Sequence, residues 1–145
     1  MSYISWHNYG YGIRVDDIKE ESPERLQALI HLAPYYEKQA NVFFQEGGIE
    51  EPTYMDYMEL DQDYCLGLAT ILREVIWEAE NVSFIACDDY NGVTYLLYPP
   101  SYPWNLSNGE RDITESRVEE LLNKYVGIIT DEEIGIEYFA PENGG

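Results

Sequence analysis

Six carboxylates crowd into the fourteen residues between Glu50 and Asp63: Glu50, Glu51, Asp56, Glu59, Asp61 and Asp63. No lysine or arginine lies among them. If 54–63 is one helix, Asp56, Glu59 and Asp63 stand at i, i+3 and i+7 and form a single stripe. Like charges one turn apart cost roughly a few tenths of a kcal/mol per pair. Such a stripe serves solubility as a solvated face, or it meets a cationic partner. The second use is mimicry of a polyanion. B-DNA carries closely spaced negative charges that basic grooves receive, and a rigid acidic surface can occupy the same groove, with steering that weakens in salt. Tyr54, Tyr57 and Tyr64 interleave with these acids. Tyrosine offers large, semi-rigid contact area with a polar tip, although half of each ring can simply cover a core edge. The expected partner-binding set is therefore Glu50, Glu51, Tyr54, Asp56, Tyr57, Glu59, Asp61 and Asp63.

Other chemistry is thinly supplied. The two histidines, His7 and His31, fall in an aromatic N-terminal segment and beside the apolar face of a helix. His7, Cys87 and an aspartate would make a nominal cysteine-nucleophile set. Cys87, however, sits in a strand-like run without the basic neighbours or helix N-terminus that lower a thiol pKa. Both Cys65 and Cys87 read as buried free thiols, and two cysteines are too few for a disulfide framework. Asp88-Asp89 and Asp131-Glu132-Glu133 could together hold Ca²⁺ or Mg²⁺ and support a metal-assisted hydrolase, but neither has an EF-hand spacing. There is no Walker loop, GxGxxG, HExxH, CxxC or GxSxG. The expectation is a non-enzymatic protein with no catalytic residue, no metal and no cofactor.

The elements that must position the acids can be read locally. Tyr3 to Val15 alternates aromatic and small polar residues like a strand, with Gly10 and Gly12 marking a bulge or a close backbone approach. Ser22-Pro23-Glu24 supplies a cap, a proline at the first helical position and a first-turn acid; Leu26, Leu29, Ile30 and Ala33 follow at helical spacing. Pro34 stops that helix or starts another through Phe44, which Gly47-Gly48 closes. Thr53 caps a short helix over 54–60. Asp61 or Asp63 caps the longest helix, running to about Ala79, apolar around much of its circumference and therefore central. Val82 to Cys87 and Val93 to Tyr98 are strands, and Asn91-Gly92 between them suits a two-residue type I′ turn. Asp112-Ile113-Thr114-Glu115 has capping-box spacing before a helix presenting Val118, Leu121, Leu122 and Tyr125. Ile134, Ile136 and Tyr138 make a last strand. The pattern is α+β: a single domain over 1–145 with a mainly antiparallel sheet of about four strands and helices packed on one face.

The chain has 145 residues, 28 acids against 8 Lys+Arg, and a formal charge of −20. At 45% apolar and 14% aromatic it can still build a core. The charge excludes a basic face for gripping nucleic acid or an anionic membrane. It is also uneven: residues 39–110 hold 13 acids and one base, Arg73. Without a basic-then-apolar leader or a membrane-length apolar run, the expected location is cytoplasmic, in a bacterial host cell.

The opening Tyr3-Ile4-Ser5-Trp6-His7-Asn8-Tyr9-Gly10-Tyr11-Gly12-Ile13, the run Tyr98-Pro99-Pro100-Ser101-Tyr102-Pro103-Trp104 and the close from Ile136 to Gly145 resemble small uncharacterised acidic proteins of bacterial and phage genomes. In size and charge the chain is also similar to anti-CRISPR proteins that act as DNA mimics. That likeness carries over no catalytic residue. It implies an inhibitor that fills the nucleic-acid groove of a basic partner, a CRISPR nuclease or another defence enzyme, without touching nucleic acid or membrane itself. The alternative is a small adaptor or homo-oligomeric module whose acidity serves solubility, with an apolar working surface around Tyr98, Tyr102 and Trp104.

Overall fold

The computed structural model describes residues 10–60, 66–98 and 113–141. Four strands form one antiparallel sheet in the order β2-β3-β1-β4: β1 Gly10–Arg14, β2 Ile85–Asp88, β3 Thr94–Tyr98 and β4 Glu137–Phe139. Helices α1 Pro23–His31, α2 Pro34–Glu46, α3 Tyr54–Met58, α4 Leu68–Glu80 and α5 Glu115–Ile129 supply the second layer. This is the expected α+β architecture.

Side-chain alternation divides the sheet. Ile13, Leu96 and Ala86 face the helical layer, where they meet α4 and α5 in the main core. Cys87, Tyr95 and Leu97, with Ile85, Val93 and Phe139, form a smaller cluster on the opposite face. Pairing places Gly12 opposite Leu97. A Cβ on Gly12 would lie 2.0 Å from the Leu96 carbonyl oxygen, so the close approach suggested by the glycine spacing is real.

Helix α4 is central, burying Leu68, Ala69, Ile71, Leu72, Val75 and Ile76, yet it is not the longest. It has 13 residues against 15 in α5, and Gly67 precedes it as N-cap; Asp61 and Asp63 lie outside the described residues. Ser22 caps α1 by accepting from the Arg25 N–H, and Pro34 opens α2. Helix α5 presents the expected face but starts two residues late. Thr114, not Asp112, is its cap, accepting from the Arg117 N–H at 3.2 Å, and Glu115 instead accepts from the Tyr138 hydroxyl. Strand β4 is confined to Glu137–Phe139, leaving half-buried Ile134 and Ile136 as core-packing residues ahead of it.

The β2–β3 connection is not a two-residue type I′ turn. That turn needs positive φ at both central residues; Gly92 has φ 78°, whereas Asn91 is not among the positive-φ residues. The loop has three residues instead, Tyr90-Asn91-Gly92. The Gly92 N–H donates to the Asp89 carbonyl and the Asp89 N–H to the Val93 carbonyl, at 3.1 and 3.0 Å. Asp89 organises it: its carboxylate accepts from the N–H groups of Asn91 and Val93 and from the Tyr95 hydroxyl, all within 3.0 Å.

Candidate functional site

Three exposed acids, Glu46, Glu50 and Glu51, stand within five residues of the end of α2. Gly48, at φ 70°, lets the helix close with the Ile49 N–H on the Phe44 carbonyl (2.8 Å) and the Gly48 N–H on the Gln45 carbonyl (3.1 Å). This paired closure suits glycine because a left-handed residue is required there. Ile49 then packs against the core, and the chain returns past the helix end carrying Glu50 and Glu51. The helix dipole is negative at this end, and no basic residue sits in the last turn to offset it. Glu46, Glu50, Glu51 and Glu59 are exposed and have no hydrogen-bond or ion-pair partner among the described residues.

Most carboxylates elsewhere are used, Glu21, Glu133 and Glu137 excepted. Arg25 bridges Glu20 and Asp131 at 3.4 and 2.9 Å, Arg14 pairs with Asp17 at 3.6 Å, and Arg73 with Glu74 at 2.9 Å. Arg117 and Lys124 converge on Glu80, at 3.1 and 3.0 Å. Glu78 accepts from the Tyr35 and Tyr36 N–H groups and so closes the N-terminus of α2. These arginines and Lys124 thus pair with acids away from the C-terminal end of α2, which carries Glu46, Glu50 and Glu51 without a base.

Beside that end lies an open groove of about 800 Å³. Phe44, Ile49, Pro52 and Tyr57 supply its apolar surface, and Gln27, Glu37, Asn41, Gln45 and Glu50 its polar surface; no lysine or arginine lines it. Glu37 also meets His31 Nδ1 at 2.9 Å. Sequence reasoning missed the α2 contribution, although Glu37, Asn41 and Gln45 at i, i+4 and i+8 already describe one polar helix face.

The expected acidic stripe is reorganised. Helix α3 stops at Met58 with Glu59 as C-cap, so Asp56 and Glu59 do not lie on one continuous helix running to residue 63. Asp56 is half-buried and committed to a capping box: it accepts from the Thr53 N–H at 2.8 Å and from its hydroxyl at 3.0 Å, while its own N–H donates to Thr53 Oγ1. Tyr57 is only 5% exposed and stacks edge-on against Phe44, so its ring serves the core. Burial pushes its phenol pKa up, against a hydrogen bond with Gln27, and nearby Glu24 and Glu37 push it further. Tyr54 is half-buried and its phenol is raised by burial and by Glu21. Of the eight expected partner residues, Glu50, Glu51 and Glu59 are open to solvent as carboxylates, and Asp61 and Asp63 lie outside the described residues.

The other candidates separate. Cys87 is buried, and burial together with Asp88 and Asp89 raises its thiol to about 11, which suppresses the thiolate. His7 and Cys65 lie outside the described residues, as do Tyr102 and Trp104. Asp89 is spent on its hairpin, Asp131 on Arg25, and Glu132 on the Lys19 N–H. Among the described residues no three His, Cys, Asp or Glu side chains are grouped as metal ligands, and no helix is long and apolar enough to cross a membrane. No family model matches the chain, and neither does a curated protein or a solved structure.

Proposed function

We propose that this chain is an acidic binding protein that presents the negative end of α2 and its groove to the nucleic-acid cleft of a basic partner protein. The observation that carries the reading is the clustering of charge: Glu46, Glu50 and Glu51 stand within five residues of one another at the end of α2 without a partner among the described residues, whereas the other unpartnered acids, Glu21, Glu59, Glu133 and Glu137, are spread over other elements. Concentrating like charge at a helix C-terminus costs stability locally, and a cationic cleft recovers that cost on binding. The similarity in size and charge to DNA-mimic anti-CRISPR proteins makes a CRISPR nuclease the first partner to test.

The test is displacement of duplex DNA from guide-loaded Cas nucleases, titrated at low and high salt. The native chain is expected to displace DNA with an affinity that falls as salt rises. Reversal of Glu50, Glu51 and Glu59 to Lys removes that competition and leaves the circular-dichroism spectrum unchanged. Asp56 is omitted because its capping box makes any substitution a folding test. Displacement by the triple variant equal to that of the native chain refutes the α2 end as the interface, and binding indifferent to salt favours the adaptor reading.

A further inference from the structure

The loop between β2 and β3 contains Asn91-Gly92, and both residues are exposed. Asparagine is among the thermolabile side chains, and a following glycine leaves no Cβ to obstruct ring closure. Among the described asparagines only Asn91 precedes a glycine. The reaction is intramolecular. The Gly92 amide nitrogen gives its proton to solvent and attacks Asn91 Cγ; the new N–Cγ bond closes a succinimide, while the Cγ–Nδ2 bond breaks and the departing nitrogen takes a proton from water to leave as ammonia. A water molecule then opens the ring at either carbonyl, giving aspartate or isoaspartate at position 91. The fold opposes the first step through Asp89. Its carbonyl accepts from the Gly92 N–H at 3.1 Å, so the proton that must leave is engaged. Its Oδ1 accepts from the N–H groups on either side of Gly92, those of Asn91 and Val93, at 2.9 and 3.0 Å. Swinging the Gly92 nitrogen onto Asn91 Cγ breaks these bonds, and the carboxylate charge disfavours a second negative charge on the nearby amide nitrogen. Asp89 is itself anchored by the Tyr95 hydroxyl, which donates to Oδ2 at 3.0 Å.

We infer that Asn91-Gly92 is a latent deamidation site, closed by the Asp89 clasp in the intact hairpin and reacting when the loop opens. Either product adds a carboxylate next to Asp88 and Asp89. Isoaspartate also routes the main chain through Cβ, which lengthens the loop and misaligns the N–H groups that Asp89 holds. The change is irreversible, so it records each opening that reacts and weakens the pairing of Asp88 with Thr94 beside the loop. The hairpin contributes no residue to the groove at the end of α2, so this site goes beyond the binding reading and stands or falls separately from it.

The test is incubation of the full chain in mildly alkaline buffer at physiological temperature, natively and in guanidinium chloride, followed by peptide mass spectrometry and isoaspartate labelling with an isoaspartyl methyltransferase. The sequence also holds Asn108-Gly109 and Asn143-Gly144, whose conversion in guanidinium gives the intrinsic rate of the dipeptide in the same tube. In guanidinium Asn91 is expected to convert as fast as those two, and in the native chain at least about tenfold more slowly, because the reaction then waits on local opening. Asp89→Ala should speed native conversion at Asn91 about tenfold or more, the factor expected for losing hydrogen bonds to a charged group. Tyr95→Phe, which keeps the carboxylate and removes its tie to β3, should speed it less, and it carries the test if Asp89→Ala lacks the native circular-dichroism spectrum. Equal rates in native and denatured chain, slow conversion of Asn91 in guanidinium, or no acceleration in a folded variant overturns the inference.

Discussion

Removing the Glu80 carboxylate should weaken the fold by about 3 kcal/mol, a large share of the total stability of a domain this size. Glu80 ends α4 with its side chain 15% exposed. One oxygen accepts from the Tyr125 hydroxyl at 2.5 Å and from Lys124 Nζ at 3.0 Å; the other accepts from Arg117 Nη2 at 3.1 Å. The Tyr125 bond does most to hold the Glu80 pKa below the usual range, against desolvation, with Lys124 and Arg117 adding to it. Tyr125 is 1% exposed, so Glu80→Ala strands a buried hydroxyl as well as deleting a charge-assisted bond, together about 2–3 kcal/mol. The Arg117 and Lys124 side chains are 41% and 58% exposed, so solvent screening limits each ion pair to about 0.5 kcal/mol. Glu80→Gln keeps an acceptor for Tyr125 and should cost about 1 kcal/mol.

Urea denaturation followed by circular dichroism is the assay: the midpoint should fall with little change in slope, and the melting temperature by roughly 3 °C per kcal/mol. The pH dependence has a definite sign. A carboxylate whose pKa is depressed by folding stabilises fully above its unfolded pKa, and that stabilisation disappears as pH falls through the folded value. The gap between the native chain and Glu80→Ala should therefore narrow in acid. Adding Tyr125→Phe to Glu80→Ala should recover part of the loss by removing the stranded hydroxyl. A cost below about 0.5 kcal/mol, or equal costs for Ala and Gln, would refute the argument.

Gly12→Ala should destabilise by at least about 3 kcal/mol, because its methyl would meet backbone rather than a movable side chain; insoluble expression or a collapsed urea midpoint would show it. Alkylation mapped by mass spectrometry at mildly alkaline pH should leave Cys87 unmodified in the native state and modify it in urea, since its thiol is raised to about 11. Thr53→Ala should cost about 1 kcal/mol through loss of the α3 cap, detectable as a lower thermal midpoint. Loss of competition for Cas nucleases on reversal of Glu50, Glu51 and Glu59, with Thr53→Ala remaining competitive, would separate the acidic end of α2 from helix capping.

Local chemistry was legible along the chain. Ser22 before Pro23, Pro34, Gly47-Gly48 and Thr53 mark helix ends because a cap, a fixed φ or a left-handed residue acts within one turn. The apolar periodicity of α4 and α5 identified their buried faces, and the two-residue alternation identified the strands. Errors arose where two local solutions compete. Thr114 and Asp112 both offer a cap to α5, and the interaction of Glu115 with Tyr138 accompanies the later start. Asn91-Gly92 suits a type I′ turn, but the Asp89 carboxylate, tied to Val93 and Tyr95 across the hairpin, organises a three-residue loop.

The sequence by itself determined the sign and approximate location of the excess charge, the α+β class and most helix boundaries, because these depend on composition and on neighbours within a few residues. Only the tertiary structure decided which carboxylates stay available. Glu80 is matched by residues 37 to 45 positions away, and Asp131 by Arg25 from the other end of the chain. Asp56 is consumed by its own helix cap, while Glu46, Glu50 and Glu51 at the end of α2, like Glu21, Glu59, Glu133 and Glu137, have no partner among the described residues. Ion pairing acts over a few ångströms in space regardless of separation in sequence, so a charge count cannot distinguish a neutralised acid from one held out to a partner.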